Sequence, residues 1–166
     1  HRSKGLEFPV VILADLNKQF NEQDLKRPVL VHPALGLGCE RVDRARHIRY
    51  DSVSKSALAL TLRREAKAEE MRILYVALTR AKEKLVMVHT QANARSRVAD
   101  LIAVSACPVL PEAVDEGKCM GDWIMLPLLQ RSEAAPLRAL AGQNGEGCVF
   151  AGETPWVVRV HEGEAL

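Results

Sequence analysis

Residues 69–90 read EEMRILYVALTRAKEKLVMVHT, a charged edge followed by an apolar turn, one arginine and a second apolar run. Segment 70–79 is apolar on most sides, which predicts a helix buried there. Lys84–Thr90 predicts a buried strand. Leu58, Leu62, Ala66, Ile73, Ala77 and Ala81 fall near helical spacing. No Gly or Pro intervenes from Val53 until Pro108, so the helix extends back to about Val53. Ser52 or Ser54 supplies its cap. Upstream, Phe8–Ala14 (FPVVILA) is a continuous, β-branched apolar run, the pattern of a strand covered on both faces of a parallel sheet. Strand, excursion, helix and strand predict an α/β organisation with parallel pairing.

Other segments are read more coarsely. Residues 15–27 leave the sheet as a polar loop, Pro28–His32 is a short strand, and Pro33–Cys39, with Gly36 and Gly38, turns. Residues 93–105 are helical, and Pro108, Pro111 and Gly117 break the chain after them. Asp122–Leu129 (DWIMLPLL) predicts a short amphipathic helix despite Pro127. Residues 132–147 read as a linker, and Val149–Phe150 with Trp156–Val160 as a small hairpin. Asp115, Glu116 and Asp122 read as surface charge.

Composition narrows the function. Residues 1–100 hold 19 Lys and Arg against 12 Asp and Glu, whereas residues 101–166 hold 4 against 9. A basic front half suits a polyanion such as nucleotide or DNA, and the acidic remainder suits a connector or a protein-facing surface. No apolar run approaches the roughly 20 residues that span a bilayer, and the amino-terminal segment lacks the pattern of a secretory signal. Cys39, Cys107, Cys119 and Cys148 form no CxxC pair, which favours free thiols in a reducing cytoplasm over zinc or disulfides. A start at histidine rather than methionine reads as an excised or processed fragment.

Two clusters carry candidate chemistry. In His1-Arg2-Ser3-Lys4-Gly5-Leu6-Glu7, glycine allows close backbone approach, Lys4 offers a point charge and Glu7 an acceptor. The same residues also make an ordinary solvated turn before a strand. In the second cluster, Arg80 at a helix end presents a planar fork for phosphate oxygens, the geometry that stabilises a transferring phosphoryl group. A cation there equally complements the helix dipole. Arg72 lies about two turns earlier on roughly the same face, either supporting Arg80 or pairing with Glu69 or Glu70. Tyr75 is expected in the core.

Taken together, HRSKGLEFPVVIL resembles motif V, and EEMRILYVALTRAKEKLVMV motif VI, of superfamily 1 helicases of the UvrD, PcrA and Rep type. FNEQDLKRPVLVHPALGLG, VDRARHIRYDSV and DWIMLPLL resemble the AddA component of bacterial AddAB helicase–nucleases. The resemblance covers roughly residues 1–130. It implies a partial RecA-like parallel sheet with flanking helices over residues 1–105, and a connector over 106–166 leading towards a nuclease domain. It further implies that Arg80 contacts the γ-phosphate of ATP, Glu7 the ribose and Gly5 the phosphates. Thr79 and Tyr75 would buttress Arg80, while His1, Ser3 and Lys4 face single-stranded DNA.

Implied partners are DNA, as a single-stranded path and duplex ends, an N-terminal RecA-like domain and an AddB-like partner, in the bacterial cytoplasm and away from membrane. ATP and magnesium are the implied cofactors of the parent, in double-strand-break repair. The sequence departs from the family pattern in holding no GxxxxGK[ST] loop, no acidic metal-binding strand and no nuclease signature. An isolated fragment is therefore expected to be inactive and to bind neither cofactor. The absence of a strand before the first cluster is expected to weaken order at residues 1–5. Alternatives are a non-catalytic DNA-binding or docking module, and a RecB-like or plain UvrD-like helicase fragment.

Overall fold

The computed structural model describes residues 6–143, 154, 156–161 and 163. Five strands and five helices are formed among them: β1 (Phe8–Leu13), β2 (Val29–His32), β3 (Gly36–Asp43), β4 (Ile48–Asp51), α1 (Val53–Leu78), β5 (Ala81–Met87), α2 (Ala94–Val104), α3 (Pro111–Glu116), α4 (Met120–Leu128) and α5 (Ala135–Leu140). They divide into two compact units, residues 20–79 and residues 1–19 with 80–166. The chain is mixed α/β, and its parallel sheet is the pair β1–β5.

In the larger unit, β1 and β5 run parallel with Val10 opposite Lys84 and Leu13 opposite Met87. The register slips by one residue between Phe8 and Val10, a bulge of the kind that re-aims side chains beside sites. Parallel pairing follows the expectation, but cover on both faces does not. Phe8, Val10 and Ile12 share one face by strand alternation and are 41%, 50% and 65% exposed. Among the described residues, no further strand extends this two-stranded sheet.

The core of this unit lies among the helices that follow. Val98 and Leu101 of α2 pack with Ala113 of α3, Met125 and Leu126 of α4, and Leu129. The expected boundary between residues 105 and 106 therefore runs through a shared core and is no packing boundary. Helix α4 is buried nearly all round rather than amphipathic, because α2, α3 and α5 surround it. The expected linker 132–147 instead holds a 3-10 turn (Ser132–Ala134) and α5. Buried Arg138 of α5 donates to the carbonyls of Leu129 (2.9 Å) and Arg131 (2.7 Å) just past α4, which fixes that turn.

Residues 156–160 form no strand, and Val149, Phe150 and Cys148 lie outside the described residues. Trp156 is held differently: its amide donates to Glu133 (3.3 Å), and Arg131 sits 5.5 Å from its ring centre. Glu133 also accepts from Arg131, whose guanidinium is the main cause holding its carboxyl down at about 2. A depressed carboxylate contributes stability that is present above its unfolded range near 4.5 and is lost as pH falls through about 2. The Trp156 amide resonance should therefore stay unmoved on acidification from neutral pH to pH 4. A titration centred near 4.5 would contradict the clasp.

In the smaller unit, β2, β3 and β4 form an antiparallel sheet packed on α1. Strands β3 and β4 are not evident in the sequence, since Gly36 and Gly38 read as turn signals and the following residues are mostly charged. Gly38 is in a strand because α1 presses on it: a Cβ there would lie 2.6 Å from the Lys55 backbone. Ser52 caps α1 by accepting from the Lys55 amide at 3.2 Å, as expected. Buried Lys55 lies between Asp51 (2.7 Å) and Glu40 (2.9 Å), whose carboxylates raise its pKa above the usual lysine range. His32 accepts the amides of Ala34 and Leu35 at Nδ1, so its proton sits on Nε2 and is donated to Glu65 (3.1 Å).

The carboxy-terminal part of α1 departs from expectation. Within residues 70–79 only Leu74 is buried, whereas Ile73 and Val76 are exposed and Tyr75 is 68% exposed. Tyr75 is thus no core residue of this chain. The small sheet covers the amino-terminal part of the helix, through β2 and β3, and leaves this end uncovered.

Candidate functional site

Sheet pairing brings the two charged clusters together. The loop residues Leu6 and Glu7 enter β1, and Arg80 enters β5. Because the strands run parallel, both approaches lie at the same end of the sheet. The Phe8 amide donates to the Arg80 carbonyl at 2.9 Å, and the Arg80 guanidinium donates back to the Leu6 carbonyl at 3.2 Å. One backbone contact and one side-chain contact therefore join two segments far apart in the chain, the side-chain contact spanning 74 positions. Glu7 lies 3.4 Å from Lys82 in an exposed ion pair. Exposed pairs of this kind contribute little stability, so both groups can exchange this contact for a ligand at small cost.

Arg72, Tyr75 and Thr79 lie on α1 or at its end. Arg72 pairs with Glu69 at 2.8 Å in the open, the simpler of its two readings. The Thr79 hydroxyl donates to the carbonyls of Tyr75 (3.0 Å) and Val76 (3.1 Å), closing the end of α1. Its backbone N–H also turns back onto Tyr75 and Ala77. Thr79 thereby satisfies carbonyls that the helix end would otherwise leave open. His1, Ser3, Lys4 and Gly5 lie outside the described residues.

A partly exposed guanidinium with an ammonium nearby fits a phosphate-bearing ligand approaching the amino ends of β1 and β5. Glu7 offers an acceptor for a hydroxyl. Among the described residues, no three His, Cys, Asp or Glu side chains gather as a metal ion would require. No described helix is long and apolar enough to cross a membrane.

A second polar constellation escaped sequence reasoning. Asp122, on the first turn of α4, is 1% exposed rather than a surface charge. It accepts both arms of the Arg97 fork from α2, and the Lys118 amide at 2.7 Å. Burial pushes its carboxyl up, but Arg97 and the Lys118 amide outweigh this and hold it below the ordinary range. His89, just beyond β5, packs against Gly121, where a Cβ would lie 2.3 Å from its Nδ1. Neither ring nitrogen finds a partner among the described residues, and burial lowers its pKa, so the ring is neutral. The signal for Asp122 was present in DWIMLPLL: a lone acid heading an apolar helix needs a partner.

A parallel pair of strands flanked by helices in a mixed α/β chain is consistent with a helicase-type domain. The model of the UvrD-like helicase C-terminal domain matches residues 1–92, and the chain belongs to that family. Within it, the chain is similar to the A subunits of ATP-dependent helicase/nucleases (AddA) from several bacteria. The relative from Thermoanaerobacter pseudethanolicus is 46% identical over 86% of this chain and 12% of its own length. That from Heliobacterium modesticaldum is 45% identical over 93% of the chain and 11% of its length. That from Bacillus mycoides is 38% identical over the whole chain and 14% of its length. The chain thus spans about an eighth of the length of these relatives.

Proposed function

We propose that this chain supplies the motif V and motif VI half of an ATP site, and part of a single-stranded DNA path, in a helicase–nuclease that processes DNA double-strand breaks. The observation that carries this reading is the Arg80 guanidinium on the Leu6 carbonyl, with the two clusters side by side at one end of a parallel sheet. Arg80 reaches the γ-phosphate of ATP, and Glu7 the ribose. Gly5 lies beside the phosphates, and His1, Ser3 and Lys4 face DNA. Thr79 positions Arg80 through the chain that joins them, and Arg72 and Tyr75 lie on the helix that leads to it.

A bound nucleotide would supply the phosphoryl group that Arg80 contacts, and magnesium would offset the charge of its oxygens. Both belong to a phosphate cradle on an N-terminal RecA-like domain, since no GxxxxGK[ST] loop occurs in these 166 residues. An AddB-like partner completes the cytoplasmic enzyme, whose activities are ATP-dependent unwinding and exonuclease cleavage.

ATP hydrolysis, measured with and without single-stranded DNA, tests the reading on the full-length protein and on the 166-residue chain. Turnover should appear only in the former and rise with DNA. Comparable turnover by the short chain would overturn the half-site.

A further inference from the structure

The hairpin β3–β4 has no role in the site above, yet it carries four arginines within nine residues. Between Arg41 and Tyr50 lie Arg41, Arg44, Arg46 and Arg49 against a single acid, Asp43. The arginines are all exposed. Pairing sets Arg41 opposite Tyr50 and Val42 opposite Arg49. Arg41 and Arg49 therefore project from opposite faces of the ribbon, and Arg44, Arg46 and His47 form its tip.

Nearby acids are committed elsewhere. Asp43 accepts the amides of Ala45 (3.0 Å) and Arg46 (3.1 Å), which shapes the turn, and lies 3.9 Å from the Arg46 side chain. Glu40 and Asp51, at the base, hold Lys55. Among the described residues, no carboxylate pairs with Arg41, Arg44 or Arg49.

From this geometry we infer that the β3–β4 hairpin is a contact for the phosphate backbones of duplex DNA. Guanidinium forks match phosphate oxygens, and a two-stranded ribbon fits the width of a major groove. Cations on both faces and the tip suit a groove walled by phosphates on either side. A single strand would engage one face only. The inference rests on the DNA-motor reading for its choice of polyanion, but it concerns residues other than those of the proposed ATP site.

The test uses the full-length protein, a blunt fluorescent duplex and the corresponding single strand. The triple variant Arg44→Glu/Arg46→Glu/Arg49→Glu should bind duplex about tenfold or more weakly at low salt. The slope of log affinity against log salt should fall by roughly 2 to 3, as expected for three lost phosphate contacts. Single-strand affinity and single-strand-stimulated ATP turnover should be retained. Arg44→Gln/Arg46→Gln/Arg49→Gln, with thermal unfolding followed in parallel, should show the same loss without introduced repulsion.

Duplex affinity within twofold of the unmutated protein, with an unchanged slope, overturns the inference. So does an equal loss on single strand and duplex. Failure of the unmutated protein to hydrolyse ATP would instead refute the motor reading, while the duplex measurement still judges the hairpin.

Discussion

Arg80→Ala in the full-length protein is expected to lower DNA-stimulated ATP turnover by about a thousandfold, within the range that a phosphate-contacting arginine contributes. Nucleotide affinity should change far less, because the contact develops with charge on the transferring group. Folding should survive. The hydrogen bond to Leu6 is exposed, costing about 1 kcal/mol or less to lose, and the Thr79 hydroxyl closes the end of α1. Arg80→Lys should fail too, by about a hundredfold or more, since an ammonium cannot reproduce the planar fork. Steady-state turnover with excess single-stranded DNA, beside binding of a fluorescent ATP analogue, separates these effects. Unchanged turnover would return Arg80 to the role of a cation beside a helix end.

The second large effect concerns stability. Asp122→Ala should destabilise the larger unit by about 3 kcal/mol or more, the scale for breaking a buried, hydrogen-bonded charge pair. The substitution strips the Lys118 amide of its acceptor and leaves the half-buried Arg97 fork without its counter-charge. Thermal unfolding followed by circular dichroism should show a midpoint lower by about 10 °C. Asp122→Ala/Arg97→Met should be less destabilised than Asp122→Ala alone, because no unpaired cation remains. A midpoint within about 2 °C of the unmutated chain would show that the pair contributes little. The sign with pH follows from the depressed carboxyl. Its stabilisation is present at neutral pH and is lost on acidification below the ordinary carboxylate range.

Both effects were unequally legible in the amino-acid order. Arg80 could be singled out because a lone cation after an apolar helical turn is a local pattern. Strand β1, helix α1 with its Ser52 cap, and helix α2 were legible for the same reason. Each is long enough, or apolar enough, for periodicity and capping chemistry to register. Strand β5 is predicted from Lys84 but starts three residues earlier, at Ala81, since parallel pairing with Phe8 draws Ala81 into the ladder.

Elements that depend on distant partners were not legible. Gly36 and Gly38 resemble turn residues, and only the close approach of α1 to β3 explains Gly38 inside a strand. Helices α3 and α5, six residues each, are too short for a helical period to show against Pro, Ala and Glu. The exposure of Tyr75 contradicted its apolar surroundings, because an apolar pattern states what can be buried without supplying the surface that buries it.

By itself, then, the sequence determined the α/β class, the parallel pairing of two apolar strands, the helicase resemblance and the two charged clusters. All of these rest on side-chain chemistry within short windows. Only the tertiary structure decided that Arg80 reaches the Leu6 carbonyl, that Asp122 is buried against Arg97, and that the arginines of β3–β4 stand on both faces and the tip of a ribbon. Those facts depend on contacts between residues far apart in the chain and on strand register, neither of which a local pattern encodes.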